Sequence, residues 1–411
     1  MINFIKFLIL AGLIGVGKVH SQNEYLPIVF IHGMLASGDT YANFHRYLSE
    51  DGYPAELIKV LDWNTINQSN GLQLLSNFVD EVLVRSVSNR VILVGHSAGG
   101  GLAYKYMDDE NQAAKVAKYI HIGSFKMNAL PGGQYKIPTL NIYSLADMIA
   151  RGGEIDGATN VKLTDKDHYE VATSRESYEH IKKFLEIKPV SRDKSDKDLV
   201  WYSGRMLSLG ENKPVAGVEI SIKPIVQKSQ NPSESVTIIT DESGYWPKVA
   251  LKHDIWYEFT ISDSVRTIMY YHKAVHDNPL FYLRTLPPSG SMAGMLLSGL
   301  PSNSETSTLA IFLKDKAAIY GRDKITVNDI DLGTEELLKS KNSTIALFMY
   351  DDGDRESSGS LHARFAVFPF LKAADVYLPA TESSFHYICF NEECVTIPSI
   401  PSDEAIQIVV W

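Results

Sequence analysis

The stretch 91-VILVGHSAGGG-101 decides the fold class and supplies the first candidate site residue. Its apolar beginning predicts a buried strand, its small residues predict the start of a helix, and Ser97 lies at the turn between them. The flanking Gly95 and Gly99 remove the Cβ atoms that would clash in so tight a turn, so the Ser97 hydroxyl projects from the sheet edge. The N–H groups that open the helix point to the same place, which suits an anion.

The rest of the N-terminal half repeats this pattern of short apolar strands and longer helical stretches. Strands that are almost continuously apolar and alternate with helices predict a doubly wound α/β domain whose parallel sheet is covered on both faces. The predicted strands are 27–33, 55–63, 90–96, 116–123, 138–144 and 160–164. The predicted helices are 42–52, 71–86, 100–115 and 174–187.

The chain changes character after Leu185. Residues 188–198, KPVSRDKSDKD, predict a charged linker, which ends a catalytic domain of residues 22–187. Beyond it the sequence is rich in β-branched and aromatic residues with regular turn signals, which predicts a mostly antiparallel β half. A break at 287–292 predicts two modules, 199–286 and 290–411, and the helical pattern of TEELLKSK is interpreted as a small insertion.

A serine nucleophile needs a general base, and that base needs an orienting carboxylate. In this fold the three follow in the order serine, acid, histidine. Asp147 comes directly after the strand 138–144, and His168 lies in the loop after 160–164, so both arrive at the carboxyl edge of the sheet. The sequence therefore predicts a triad of Ser97, Asp147 and His168.

Other histidines and carboxylates compete for these roles. His121 lies inside a strand and His180 in the last helix, which predicts core and surface positions; His32 and His96 are expected to shape the pocket. The three other candidate acids lie too near the histidine loop to orient an imidazole from a neighbouring strand end: Asp156, Asp165 and Asp167.

The oxyanion of a tetrahedral intermediate needs two fixed hydrogen-bond donors. The first is expected to be the N–H of Ala98, which follows the nucleophile. The second is expected from the turn after the first strand, where Gly33 lets the chain bend and Met34 presents its N–H.

Together, PIVFIHGM, VGHSAGG, IYSLADMI with DGATNVKL, and DHYEV resemble the secreted lipases of the α/β-hydrolase superfamily, in particular small bacterial triacylglycerol lipases and two-domain archaeal lipases with a β-rich C-terminal half. The resemblance covers residues 25–187. It implies a triad at Ser97, Asp147 and His168 and an oxyanion hole at Met34 and Ala98. The smallest lipases lack a β-rich extension, so this resemblance carries no implication for the second half.

The extension has a weaker resemblance of its own. GRMLSLGENKPVAGVEISI, TDESGYW and WYEFTI look like the transthyretin-like sandwich that accompanies many exported proteins, with turns at NKPVAG and DESG. Residues 290–411 are expected to form a sandwich or barrel similar to the C-terminal domain of the two-domain lipases.

The first residues predict export. Residues 1–21 have Lys6, an apolar stretch from Phe7 to Val16 and a small residue at Ser21, as in a cleavable signal peptide; an uncleaved anchor is the alternative. We therefore expect a secreted or periplasmic protein with no integral membrane span after cleavage. In that compartment Cys389 and Cys394 can pair across a hairpin, with two free thiols as the alternative.

The composition of the chain limits the classes of partner and cofactor that are expected. The formal charge of −10 becomes −12 after loss of residues 1–21, because 37 basic and 49 acidic residues remain. An acidic chain with no long basic run argues against nucleic acid as a partner. Two cysteines cannot build a zinc site and no calcium-loop pattern occurs, so neither a metal nor a cofactor is expected.

The sequence predicts an ester hydrolase acting on lipid acyl esters, at a lipid–water interface if the substrate is aggregated. A short-chain carboxylesterase or polyester depolymerase shares this machinery, and a surface- or carbohydrate-binding protein with a relic hydrolase fold is the alternative from another class. The gaps between strands are too short for a cap. We expect the β-rich half, with apolar runs such as HARFAVFPFLK, to lean over the site; a tethered module that never touches it is the alternative.

Overall fold

The structure, a computed structural model, describes residues 25–188, 190, 198–225, 235–262, 266–287, 290–366, 368–381 and 383–411. The expected signal peptide, 1–21, and most of the expected linker, 188–198, lie outside these ranges. Within the described ranges, no helix has the length and apolar character that a bilayer crossing requires.

One parallel sheet forms the centre of the N-terminal half. Its six strands are β1 (Ile28–Ile31), β2 (Ile58–Leu61), β3 (Val91–His96), β4 (Val116–Ile122), β5 (Thr139–Ser144) and β6 (Thr159–Leu163). They pair in the order β2-β1-β3-β4-β5-β6, all parallel. The predicted parallel α/β sheet is confirmed.

Helices cover both faces of this sheet, because alternate residues of a strand point to opposite sides. Ile28 and Phe30 pack in one core with Tyr178 of the last helix, whereas Val29 and Ile31 pack in a second core on the other face. The helices of this half are α1 (Ala42–Glu50), α2 (Gly71–Ser86), α3 (Ala98–Tyr106), α4 (Glu110–Ala113) and α5 (Arg175–Leu185).

The helix predicted over 100–115 is two helices. α3 ends at Tyr106, and a new helix, α4, starts after Asp109. The Asp109 carboxylate accepts hydrogen bonds from the N–H groups of Asn111 and Gln112, at 2.9 and 3.1 Å. An aspartate that caps a helix in this way favours a new start over a continued helix.

Among its described residues, the C-terminal half has three sheets and two short helices, α6 (Met292–Leu297) and α7 (Glu335–Leu338). The strands between residues 199 and 285 are β7 (Leu199–Ser208), β8 (Glu219–Pro224), β9 (Val236–Ile239), β10 (Tyr245–Lys252), β11 (Ile255–Ser262), β12 (Thr267–Ala274) and β13 (Leu283–Thr285). The later strands are β14 (Thr308–Phe312), β15 (Ile325–Val327), β16 (Ile330–Asp331), β17 (Ala346–Tyr350), β18 (Leu371–Asp375), β19 (Phe385–Phe390), β20 (Glu393–Pro398) and β21 (Ala405–Val410).

The largest sheet joins the two ranges that the sequence separates. Its order is β18-β17-β14-β21-β12-β11-β8-β9, and β12 of the first range pairs in parallel with β21 of the second. The remaining sheets are β10-β7-β13 and β16-β15-β19-β20. The expected break at 287–292 therefore does not separate two sheets, and a transthyretin-like sandwich over 199–286 stays a prediction.

Most strand pairs in the described part of the C-terminal half are antiparallel, as the sequence predicts, but the large sheet also contains parallel pairs. The pairs β12–β21, β14–β21 and β17–β18 are parallel, and the others in that sheet are antiparallel. One hydrophobic core contains Phe259 and Tyr270 from the first range together with Phe348 and Ile408 from the second. Strands distant in sequence are thus held together by a shared core that no local sequence pattern reports.

Candidate active site

Ser97 lies at the turn between β3 and α3, with φ +52° and ψ −121°. A non-glycine residue rarely adopts this conformation, which costs roughly 1–3 kcal/mol and points to a function for the turn. The neighbouring glycines are required sterically: a Cβ on Gly95 would lie 2.7 Å from the Gly100 Cα, and one on Gly99 would lie 2.1 Å from the Ile31 carbonyl oxygen.

The three residues predicted as a triad are brought together. The Ser97 Oγ lies 3.0 Å from His168 Nε2, and His168 Nδ1 lies 2.9 Å from Asp147 Oδ2. Because the carboxylate only accepts, Nδ1 carries the proton, and Nε2 is left to accept the Ser97 hydroxyl proton. The arrangement can therefore activate the serine hydroxyl as a nucleophile.

Asp147 is held in its ionised form. Its second oxygen accepts the N–H groups of Ile149 and Ala150, at 2.9 and 3.0 Å. Burial acts to raise the pKa of this carboxyl, but His168 and the two N–H groups outweigh it and hold the pKa below the usual aspartate value. The carboxylate can then orient the imidazole and stabilise it when it becomes charged.

The competing residues lie where they cannot replace the triad. His121 is buried in β4 and contacts Tyr119 and the Phe125 carbonyl, and Asp165 is exposed beside Lys166. His96 is buried beneath His168, and its Nε2–H donates to the His168 carbonyl at 2.8 Å. Burial and the neighbouring His168 lower the pKa of His96 to about 3, so the ring is neutral and positions the loop.

His32 is also a neutral structural contact. Its Nδ1–H donates to the Gly33 carbonyl at 2.9 Å, and its Nε2 accepts the N–H of Trp63 at 3.2 Å. Burial lowers the pKa of this histidine although Asp62 acts to raise it. His32 thereby fixes the turn that carries Met34.

The two predicted oxyanion donors lie on segments that adjoin the serine. Ala98 is the first residue of α3, where an N–H has no acceptor within its own helix. A Cβ on Gly33 would lie 2.9 Å from the Ser97 Cβ, so the turn that ends in Met34 passes directly beside the nucleophile. The Leu35 N–H donates to Thr65 Oγ1 at 2.9 Å and holds this turn.

The β-rich half also contributes to the site, which the sequence does not predict residue by residue. The Phe370 ring stacks on the His168 ring, with centroids 5.8 Å apart and planes at 23°. Phe370 has φ +69° and is only 6% exposed, so a strained backbone holds the ring in place. A single phenylalanine in an apolar run carries no signal that distinguishes it from a core residue.

Asp167, next to the histidine, is a contact between the halves. Its carboxylate accepts a hydrogen bond from Arg322 Nη2 at 2.9 Å and another from the Ala317 N–H at 3.2 Å. On its own side the same carboxylate accepts the N–H groups of Tyr169 and Glu170, both at 2.9 Å. The β-rich half therefore clamps the loop that carries His168.

Further polar contacts join the halves around the turn after β1. Arg284 Nη2 lies 2.8 Å from Asp39 Oδ2, and Arg205 Nη1 lies 2.7 Å from Asp62 Oδ2. Asn212 Nδ2 donates to the Ala36 carbonyl at 2.7 Å. The β-rich half thus packs against the site, as expected. It is not a tethered module without contact to the site.

One group of carboxylates in the described residues is close enough to hold a metal ion: Asp351, Asp352 and Asp375. Asp375 already accepts the Asp352 N–H and the Ser358 hydroxyl, and Asp351 accepts the N–H groups of Gly353 and Arg355. These bonds form a polar turn of the β-rich half.

No family model matches the chain. Among solved structures, the propeptide form of the lipase BlEst2 from Bacillus licheniformis is similar over 57% of this chain and 70% of its own, with 14% identity and a TM-score of 0.33. Lipase B of Aspergillus fumigatus shares 14% identity over 41% of this chain and 54% of its own, with a TM-score of 0.31. The esterase EaEST from Exiguobacterium antarcticum shares 15% identity over 39% of this chain and 92% of its own, with a TM-score of 0.31. Likeness at this level carries no argument about activity.

Proposed function

We propose that this protein is an exported serine ester hydrolase that cleaves lipid acyl esters through an acyl-enzyme on Ser97. The observation that carries the proposal is the hydrogen-bonded chain from Ser97 Oγ through His168 to Asp147, at 3.0 and 2.9 Å, on a turn whose backbone is strained at the serine. Sheet, turn and order of residues all agree with the hydrolase arrangement.

The reaction follows from this geometry. Ser97 Oγ attacks the ester carbonyl carbon while His168 Nε2 takes its proton, and the resulting oxyanion accepts the N–H groups of Met34 and Ala98. The carbon–oxygen bond to the alcohol breaks as Nε2 returns the proton to the leaving oxygen. Water then attacks the acyl-enzyme with Nε2 again as base, which releases the acid and restores Ser97.

A lipid substrate is supported by apolar side chains exposed in the loops after β1, β4 and β5. They are Met34, Phe125, Leu145 and Met148, with exposed fractions of 45, 69, 59 and 39%. The carboxyl ends of parallel strands meet at one edge, so the loops that carry these side chains lie at the same edge of the sheet as Ser97. Exposed apolar groups grouped in this way favour contact with a lipid–water interface.

A short-chain carboxylesterase is the second candidate. The cavity that adjoins His168 has a volume of about 90 Å³, which favours a short chain over a long one. A polyester depolymerase uses the same chemistry, and the structure offers no observation that favours it.

Export is part of the proposal. It rests on the expected signal peptide at 1–21 and is supported by the disulfide between Cys389 and Cys394, which joins β19 and β20. Disulfides persist in oxidising compartments and are rare in the cytosol. N-terminal sequencing of the protein recovered outside the cytoplasm tests this part, and a mature chain that still begins at Met1 contradicts it.

Two measurements test the activity. A fluorophosphonate probe is expected to label the wild type and not Ser97→Ala, because only an activated serine reacts. Hydrolysis rates across p-nitrophenyl esters of two to eighteen carbons, together with an emulsified triglyceride, separate a lipase from a short-chain esterase. A wild-type protein that neither takes the label nor cleaves any ester contradicts the proposal.

A further inference from the structure

A cavity lies between the two halves of the molecule, beside the candidate active site. Its volume is about 90 Å³, several times the space that one water molecule needs. Apolar side chains from both halves line most of it, among them Leu35, Tyr169, Leu296, Leu297, Phe312 and Phe370. It is therefore a site for a carbon chain more than for a polar group.

The lining residues connect this cavity to the reacting groups. Leu35 follows the oxyanion candidate Met34, Tyr169 follows His168, and the Phe370 ring stacks on the His168 ring. The cavity is thus lined by residues from the two segments that carry Met34 and His168 and by the ring that stacks on His168. An acyl group stays bonded to Ser97 through both steps of the proposed reaction, so an enclosed space here suits the acyl chain better than the departing alcohol.

Charged side chains also line the cavity. Arg284 and Lys314 line it together with one carboxylate, Asp39. Arg284 is committed to Asp39, with Nη2 2.9 and 2.8 Å from the two carboxylate oxygens. The side chains that line the cavity therefore carry one more positive than negative charge, and the neighbouring Asp315 carboxylate, which does not line it, also acts on Lys314.

Lys314 lacks the partners that a buried ammonium requires. Its Nζ is buried and makes no hydrogen bond; the nearest carboxylate oxygen, Asp39 Oδ2, lies 3.6 Å away, and the ammonium lies 4.1 Å from the centroid of the Phe281 ring. Burial lowers the pKa of Lys314 to about 8 although Asp39 acts to raise it. An ammonium has three donors, and leaving them unused inside a protein is costly.

We propose that this cavity binds the acyl chain of an ester whose far end carries a carboxylate, and that Lys314 Nζ donates hydrogen bonds to that carboxylate. The inference rests on the proposed ester hydrolysis and specifies its substrate class. The bound anion would balance the excess charge and use the free donors of Lys314, while the apolar walls would enclose the methylene groups.

Matched substrates test the proposal. The first series is p-nitrophenyl butyrate, hexanoate and octanoate. The second series is the p-nitrophenyl hemi-esters of succinate, adipate and suberate, whose acyl groups have the same numbers of carbons but end in a carboxylate. For at least one length we expect kcat/KM to favour the hemi-ester in the wild type by about tenfold, the scale of a hydrogen bond between charged groups. Lys314→Met is expected to remove that preference, and Lys314→Gln to weaken it.

Lys324→Met is the matched control, because it removes an exposed lysine of the same half that does not line the cavity. It is expected to keep the wild-type preference, which separates a local contact from a change in net charge. An equal ratio of hemi-ester to neutral ester in the wild type and both Lys314 variants, at every length, overturns the proposal and leaves Lys314 as a structural residue.

A binding measurement keeps this outcome distinct from failure of the proposed activity. Calorimetric titration of Ser97→Ala with the hemi-ester is expected to give tighter binding than Ser97→Ala with Lys314→Met, without any hydrolysis. If esters are cleaved but binding is independent of Lys314, the carboxylate site is wrong and the hydrolase proposal stands. If binding depends on Lys314 but nothing is cleaved or labelled by the fluorophosphonate, the activity is wrong and the site stands.

Discussion

The two halves of this protein contribute differently to the same site. The α/β half supplies the groups that can react, Ser97, His168 and Asp147, each at the carboxyl edge of the parallel sheet. The β-rich half supplies no member of that chain, yet Arg322 holds the histidine loop and Phe370 stacks on the imidazole. The reactive groups and the contacts that position them are therefore divided between two halves that meet at the candidate active site.

The largest effect is expected from the α/β half. Ser97→Ala should lower kcat by about a millionfold, and Asp147→Asn by about ten-thousandfold, because the amide no longer fixes the tautomer of His168. Asp165→Asn, which alters an exposed carboxylate near the same loop, is the control and should retain wild-type kcat. Steady-state ester hydrolysis measures all three. Retention of activity within tenfold in Ser97→Ala would assign the reaction to another group.

A smaller loss of kcat is expected when the contact between the β-rich half and the loop that carries His168 is removed. Arg322→Ala removes the charged partner of Asp167 and should lower kcat by roughly ten- to a hundredfold with little change in KM, because a displacement of about 1 Å in the base is enough. Arg322→Lys should recover part of the loss. Arg355→Ala, which breaks an exposed pair with Glu305 in the same half, is the control. A fall in Tm with unchanged kcat would make Arg322 a purely structural contact.

Two substitutions at Phe370 separate the effect of its ring from the effect of its backbone conformation. Phe370→Ala should lower kcat/KM by roughly tenfold and the free energy of unfolding by about 3 kcal/mol, since a buried ring is lost. Phe370→Gly loses the same ring but tolerates φ +69°, so it should recover about 1 kcal/mol of stability and none of the activity.

Urea denaturation and ester hydrolysis measure the two quantities for Phe370→Ala and Phe370→Gly. The exposed ring of Phe385, in the same half, provides a control in Phe385→Ala. Equal stabilities of the Ala and Gly variants would argue against backbone strain at residue 370.

Substitution of Asp39 is expected to have the smallest effect on activity at neutral pH. Its effect on stability is expected to be clear in acid. Burial acts to raise the pKa of this carboxyl, but Arg284 and Lys314 hold it below the usual aspartate value. Its stabilising contribution is therefore complete above the ordinary aspartate pKa of about 3.8 and is lost as the pH falls through the lower folded-state value.

Tm measured between neutral pH and about pH 2 should fall less steeply in Asp39→Asn than in the wild type. Asp241→Asn, at a turn of the β-rich half away from this contact, serves as the control and should keep the wild-type slope. Identical slopes for Asp39→Asn and the wild type would mean that acid acts on other carboxylates.

The sequence alone determined the parallel sheet and the members of the serine–histidine–aspartate chain. Both are local consequences: strands of continuous apolar residues can only be buried on two faces, and a serine between small residues after such a strand must project at its end. Asp147 and His168 could be chosen because parallel strands deliver their loops to one edge, so sequence order translates directly into proximity.

The surroundings of that hydrogen-bonded chain depend on how distant segments pack. The pairing of β12 with β21 joins residues more than a hundred positions apart, and the clamp of Arg322 on Asp167 joins two halves that the sequence describes separately. Strand pairing between distant segments depends on a common core, and no local sequence pattern distinguishes an arginine that bonds across the two halves from one that does not. The cavity beside Lys314 exists only because the halves pack face to face, which no local pattern of residues encodes.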